Sequence, residues 1–539
     1  MRTIRFTCFL AFLCAAAAAS ASAPVSWEAL EAEGAVLDRI EIEVVDVFDL
    51  RNPDEDHLLG KAANALHIVT REETVRREML FEAGKPIRAR RIRETERNLR
   101  AYDYIREASI RPVRAKDGSL TARVTVQDAW SLRGGVNFHH AGGDSEWSIR
   151  LHEVNLLGRG KKLQLSYEKN RERSTKKVAY LDPRLFGSRW QMEANYQDLS
   201  DGRLRLFKLE RPFYSLDARW SAGVFARRDE SILTLYNLDE EALSFPARID
   251  EVALPLRYTY RLRGNTAFRI GLEARSSQAR YGPVFVEREG LLPLLAFEDR
   301  RLRGIFLHWG VAQDRFETFE NIMVMGRTED VNLGWDLDVG LGWVHSSFGE
   351  ASDAPVGELD LEKAWRLGSS NLLALSSWVQ ARREGGAFRD SWTSTRLTLY
   401  HVSLPRQTLA ASAAVDGGTR LAPENWLYLG AADGMRGYAN RVLAGDRRWT
   451  VSIEDRIITS KTLWGIAQVG FVAYADAGAI RRFDTGRWSR TYADAGLGLR
   501  FGNLKSSFGK VFSLTIAFPL VRDPGMDSYQ IVFGNTFRF

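Results

Sequence analysis

The chain has 539 residues with 75 Lys and Arg against 69 Asp and Glu, and a net charge of +6 gives little basis for a nucleic-acid partner. Mean hydropathy is −0.27, and beyond the N-terminal segment no run approaches the ~18 apolar residues of a membrane-crossing helix, so a helical membrane protein is excluded. Both cysteines, Cys8 and Cys14, lie at the very start, which removes disulfide scaffolds, thiol nucleophiles and cysteine metal sites from the remainder.

Residues 1–23 read as a secretory signal peptide. Arg2 and Arg5 precede an apolar run from Phe6 to about Ala19, and Ala19-Ser20-Ala21 or Ala21-Ser22-Ala23 supplies small residues for cleavage. An exported chain of this size without a disulfide needs extensive backbone pairing or a large core.

Residues 36–128 have a mixed pattern. Leu37, Ile40, Ile42, Val44 and Val45 mark a strand, and helices are expected over 57–81 and 87–102, separated by Gly84-Lys85-Pro86. Strands over 105–113 and 120–127 follow, joined at Lys116-Asp117-Gly118. The order is β-α-α-β-β.

From Trp130 to residue 539 the period changes to two. Ala493, Ala495, Leu497, Leu499 and Phe501 share one face, opposite Asp494, Gly496, Gly498 and Arg500. Such alternation continued to the end is unusual for one soluble domain. It suits a transmembrane antiparallel β-barrel, apolar outside and polar within. The 15 Trp, 44 Gly and only 15 Pro fit the same reading. The alternating segments number about twenty, each ~20 residues with its turn.

Several motifs appear in a fixed order. Asn155-Leu156-Leu157-Gly158-Arg159-Gly160-Lys161 follows the second barrel strand and Asp182-Pro183-Arg184-Leu185-Phe186-Gly187 closes the fourth. Gly434-Met435-Arg436-Gly437-Tyr438 occupies the longest late loop. Glu454-Asp455-Arg456 and Phe471-Val472-Ala473-Tyr474-Ala475-Asp476-Ala477-Gly478 come in the strands after it, and the chain ends on Phe539. Together they resemble the bacterial surface antigen superfamily, the BamA- and TamA-like assembly and translocation factors related to two-partner secretion transporters. The resemblance implies that residues 36–128 form one polypeptide-transport-associated (POTRA) domain in the periplasm. It also implies a sixteen-strand barrel in the outer membrane, below the count of about twenty made from the alternation.

In that family the matching loop folds into the lumen and its arginine pairs with an acidic wall group, which gives Arg436, Gly437 and Tyr438 that role here. Strand period places Asp476 on one face with Val472 and Tyr474, and Glu454 on one face with Ser452 and Arg456. Tyr474-Ala475-Asp476-Ala477-Gly478 recurs as Tyr492-Ala493-Asp494-Ala495-Gly496, so Asp494 is a rival partner. Tyr529, Ile531, Phe533, Phe537 and Phe539 form the alternating C-terminal strand read as the barrel assembly signal. Gly134, Gly135 and Gly534 flank the seam between first and last strands, where few aromatic pairs are expected and where the family is read as opening laterally. The arginines at 76, 77, 88, 90, 91, 93, 97 and 100 read as a solvated helix face, or else as a dock for an acidic partner or lipid headgroups.

No H-E-x-x-H, G-x-S-x-G or complete phosphate loop occurs, and Gly158-Arg159-Gly160-Lys161 opens a strand rather than a helix. His139, His140 and His152 read as rim or lumen residues. No enzyme, cofactor or metal is expected. The expected function is assembly, insertion or translocation of polypeptide clients, with outer-membrane lipid and periplasmic accessory proteins as further partners. The alternative is a passive channel for small solutes.

Overall fold

The computed structural model describes residues 26–539 except 54, 57, 142, 291–296, 349–352, 403, 405, 464–465, 506–510 and 536–539. The expected signal peptide, and Phe537 and Phe539 of the terminal motif, lie outside the described residues.

The N-terminal unit contains α1 (Trp27–Ala32), β1 (Arg39–Val45), α2 (Leu58–Leu66), α3 (Glu72–Arg76), α4 (Ala89–Arg100), β2 (Ile105–Arg114) and β3 (Leu120–Asp128). Its sheet has the order β1-β3-β2, with β1 parallel and β2 antiparallel to β3. Ala122, Val124 and Val126 alternate into a core that α4 completes with Ala89, Ile92 and Leu99. The sequence pattern missed α1, which Ser26 caps by accepting from the Ala29 N–H at 3.1 Å. The helix expected over 57–81 is two helices. Between them runs His67-Ile68-Val69-Thr70, whose β-branched side chains disfavour helix, and the Thr70 N–H is drawn instead to Asp128 Oδ2 at 2.7 Å.

The remainder is a closed antiparallel barrel of twenty full strands, leaving aside three pieces of two or three residues. The sixteen strands implied by the resemblance are therefore corrected to twenty. The alternating runs are separate strands and not hairpins counted twice, since each pairs along its length with the next. Apolar side chains point outward, as at Leu272, Ile305 and Leu497, each more than half exposed. Inward positions hold buried Glu273, His308, Glu454, Arg456, Asp476 and Asp494. That is the reverse of a water-soluble fold. The mouth beside the N-terminal unit is here the near mouth, and the opposite one the far mouth.

Each mouth sends one insert into the lumen. From the far mouth comes loop 420–442, between the fifteenth strand (Gln407–Thr419) and the sixteenth (Leu443–Leu463). From the near mouth comes the hairpin Phe316–Glu320/Thr328–Asn332, between the tenth strand (Arg300–Gln313) and the eleventh (Trp335–Val344). The hairpin buries Ile322 and Leu333 against inward Ala364, Leu372, Tyr400 and Ala410, and Met325 packs with Ile458 and Val511.

The N-terminal unit is clamped to the near mouth by the arginines of α4. Arg90 and Arg91 meet Asp217 at 3.2 and 2.8 Å, and Arg97 meets Asp314 at 3.0 Å. Arg100 takes both oxygens of Asp330, each at 2.8 Å. The reading of these arginines as a solvated face or an external dock is corrected for these four: their acidic partners are the barrel's own turns and hairpin. Arg76, Arg77, Arg88 and Arg93 pair with Glu72, Glu73, Glu31 and Glu28 on the exposed side.

Candidate lumen site

The sixteenth and seventeenth strands (Leu443–Leu463 and Ala467–Arg482) pair so that Ser452 opposes Asp476 and Glu454 opposes Tyr474. All four side chains face inward. Above them, loop 420–442 turns through Ala431–Asp433 and a left-handed Gly434 (φ 99). Met435 is fully buried with Ile480 and Tyr492, and this packing directs the next side chain onto the wall.

That side chain is Arg436, 6% exposed. Its Nε donates to Asp476 Oδ2 at 2.8 Å and its Nη2 to Asp476 Oδ1 at 2.7 Å, a two-point grip. Nη2 also reaches Ser452 Oγ at 3.1 Å, and Nη1 pairs with Glu454. The guanidinium lies 3.4 Å from the centre of the Tyr474 ring. Glu454 turns its second oxygen to Arg456 Nε at 2.7 Å, and Arg456 Nη1 donates to the Ile322 carbonyl of the near-mouth hairpin at 2.8 Å. The two inserts are thus joined through one carboxylate and one guanidinium.

Gly437 and Tyr438 have separate tasks. A Cβ at Gly437 would lie 2.5 Å from Asp494 Cβ and 3.1 Å from the Pro519 nitrogen, so only glycine lets the loop approach the wall. The Tyr438 hydroxyl accepts from the Ala493 N–H at 3.1 Å and lies 2.7 and 2.8 Å from the carbonyls of Ala493 and Val521. Asp494 opposes Asp476 in register, but neither of its carboxyl oxygens has a hydrogen-bond partner among the described residues. Arg436 therefore takes Asp476 and Glu454, and not Asp494.

Sequence reasoning did not assign roles to Ser452, Tyr474 and Arg456. The period-two face shared with Glu454 and Asp476 was the signal that could have done so. It also missed Arg448, which holds the other half of the loop: its Nε donates to Asp416 at 2.7 Å and it pairs with Asp433. Asn440 and Arg441 reach Asp144 on the second strand (Asp144–Leu156) at 2.9 and 3.3 Å.

At the seam, one pair, Phe533↔His140, joins the last strand (Gln530–Asn535) to the first (Leu132–Ala141) among the described residues. Extending this register puts Gly534 level with His139, so it does not meet Gly134 and Gly135, which oppose Leu151 and Arg150 on the second strand. One aromatic pair crosses the seam among the described residues. Phe533 lies 6.3 Å from Phe138 across the seam and 4.5 Å from Phe512, and the Gly143 N–H donates to Gln530 at 3.1 Å. Tyr529 and Ile531 are exposed, and Ile531 and Phe533 oppose Ile516 and Leu514. His140 bonds Ser145 at the far end of the first hairpin, whereas His152 opposes Arg133 at its near end, so the two are not brought together.

No family model and no curated protein matches the chain. Among solved structures it is similar to CdiB from Escherichia coli, at 12% identity and a TM-score of 0.47, over 93% of this chain and 76% of that one. It is similar to BamA from Haemophilus ducreyi lacking POTRA domains 1-3, at 13% identity and a TM-score of 0.39, over 92% and 84%. Pseudomonas aeruginosa OpdQ gives 9% identity and 0.34, over 75% and 96%.

Proposed function

We propose that this chain is an outer-membrane insertion or translocation factor for polypeptides, acting without covalent chemistry and related to the BamA- and TamA-like proteins. In this reading residues 1–23 direct export and 36–128 are a single periplasmic POTRA-type domain. Residues 130–539 span the outer membrane with the near mouth in the periplasm. Clients are unfolded outer-membrane or secreted chains, and accessory proteins meet the exposed side of the N-terminal unit.

The observation that carries the reading is a lumen occupied from both mouths by inserts tied to the Arg436–Asp476–Glu454–Arg456 cluster. A passive pore needs an open path, whereas a factor that handles chains at its seam needs a braced barrel. The test is reconstitution of the full chain in liposomes with an unfolded eight-stranded outer-membrane barrel as client. A His140→Cys/Phe533→Cys pair, matched to the seam register, should block client folding when oxidised and restore it when reduced. Unchanged client folding in the oxidised protein would reject the lateral seam. Rapid efflux of small solutes with no client activity would move the assignment to a channel.

A further inference from the structure

On the outer surface from the fourth strand (Ser174–Asp182) to the tenth, outward residues change character from mouth to mouth. At the near mouth they are aromatic: Trp220, Tyr258, Tyr260, Phe268 and Trp309. Above these lies an apolar band with Val224, Val252, Leu254, Leu272 and Ile305 exposed. At the far mouth, two-residue steps along the same face lead to exposed Lys176, Arg203, Arg205, Arg280, Arg301 and Arg303. Arg228 and Arg248 lie among them.

The register sets Asp198 opposite Lys176 and Arg203, and Glu230 opposite Arg203 and Arg248, but at two positions it sets like charge against like. Arg205 directly opposes Arg228, and Arg248 directly opposes Arg280. Like charges in such positions destabilise a sheet unless an anion lies between them. The carboxylates of these strands on this surface are Asp198, Glu230 and Asp250. Glu230 and Asp250 are taken up by Arg248 at 3.1 and 2.8 Å, and Asp250 also by Arg228 at 2.5 Å. Lys176, Arg203, Arg205 and Arg280 form no ion pair among the described residues. Eight cations thus face three carboxylates, immediately above a surface that suits acyl chains.

We propose that this band binds the phosphate groups of a lipid whose acyl chains lie on the apolar surface beneath, a phosphorylated lipid of the outer leaflet. Guanidinium groups grip phosphate at two points, and the aromatic belt marks the opposite mouth, where Arg211 instead lies over the Trp220 ring at 3.9 Å. The inference rests on the reading that the barrel spans the outer membrane with its far mouth outward.

The experiment uses the full chain in neutral detergent, with bis-phosphorylated lipid A and its dephosphorylated form as probes. The wild type should retain the phosphorylated form on the order of tenfold or more over the other, with the preference shrinking as salt rises. Arg203→Gln/Arg205→Gln/Arg280→Gln should lose the preference, and the matching Lys triple should keep most of it. Arg280→Gln alone, which should lose part of it, covers the case in which the triple variant fails to fold. Equal retention of both lipids, or a preference that survives the Gln substitutions, overturns the proposal. Migration on a gel with and without boiling separates the two readings. A wild type without a heat shift rejects the membrane barrel and this proposal with it, whereas a heat-shifting protein without lipid preference rejects this proposal alone.

Discussion

The two lumen inserts reach the same wall by different physics. Loop 420–442 is held by buried charge: one guanidinium on two carboxylates and a hydroxyl, with a tyrosine ring behind it. The near-mouth hairpin is held mainly by apolar packing and main-chain contacts, with the partly wetted Arg100–Asp330 pair at its base. Glu329 accepts from the N–H groups of Ile322 and Met323 at 2.8 and 2.9 Å, and Thr408 donates to the Asn321 carbonyl at 2.9 Å. The first mode depends on residue identity and leaves a motif in the sequence. The second depends on shape and on main-chain groups that every residue carries, and leaves almost none.

The comparison breaks if the loop does not need its charges. Arg436→Ala leaves Asp476 without a cation in a buried site and takes one of two from Glu454, which should cost ~3–5 kcal/mol. Unboiled samples heated stepwise in detergent and run on gels should lose the folded band at a markedly lower temperature. In a double-mutant cycle with Asp476→Ala the losses should be strongly non-additive. Additive losses would mean that the two side chains do not act as a pair.

A second test probes by pH the joint between the N-terminal unit and the near mouth. Burial pushes the Asp128 carboxyl up to about 6 from its ordinary 3.8, although the Thr70 N–H favours its charge. Between pH 4 and 6 the folded chain therefore binds more protons than the unfolded one, and stability falls as pH rises through that window, by ~3 kcal/mol at full conversion. The loss is greatest above pH 6. Thr70 also accepts from Asn155 of the first barrel hairpin at 2.8 Å, so the change is expected at the near-mouth joint. Hydrogen exchange at Thr70, corrected for intrinsic rate, should show protection decreasing from pH 4.5 to 7, with Asp128→Asn flattening the profile. A flat wild-type profile would remove Asp128 as a source of near-mouth sensitivity.

Gly437→Ala tests close approach without touching a charge. The added methyl meets the Asp494 side chain and the Pro519 backbone, and overpacking of this kind costs ~1–3 kcal/mol. The folded band should melt earlier than in wild type but later than with Arg436→Ala. For the hairpin, a cycle between Arg100→Ala and Asp330→Ala should give a coupling of ~1–2 kcal/mol, since the pair is two-pronged yet partly wetted. Zero coupling would leave apolar packing as the hairpin's hold.

What the sequence yielded follows the same division. The barrel, its apolar exterior and its strand number near twenty came from alternation, because a sheet wet on one face and apolar on the other imposes a two-residue period. The pairing of Arg436 with Asp476 was legible because a loop motif and an inward-facing acid both stood out. The hairpin at 314–334 was not, since Ile322, Met325 and Leu333 look like any short apolar run. The arginines of α4 were visible as a cluster, but their partners Asp217, Asp314 and Asp330 lie more than a hundred residues away, and only the folded chain brings them together. The seam register failed for the same reason: the glycines were counted along each strand, and Phe533↔His140 could be set only by closure of all twenty.

The smallest expected effect is the sharpest on which acid anchors the loop. Asp476 and Asp494 stand in register on neighbouring strands in nearly repeated sequence, so sequence alone made them rivals. In the fold one holds Arg436 at two points, while the other has no hydrogen-bond partner among the described residues. Asp494→Asn keeps the shape and removes a carboxylate facing another across the sheet, so it should leave stability unchanged or raise it by up to ~1 kcal/mol. Asp476→Asn keeps the shape equally well but takes away the charge that the guanidinium needs, and should lower the melting temperature of the folded band by most of the Arg436→Ala amount. The pair of variants measured side by side decides the matter by the sign of their difference. If Asp494→Asn proved the more damaging, the loop would be anchored one strand further along the wall, and the link from Arg436 through Glu454 to the hairpin would be lost with it.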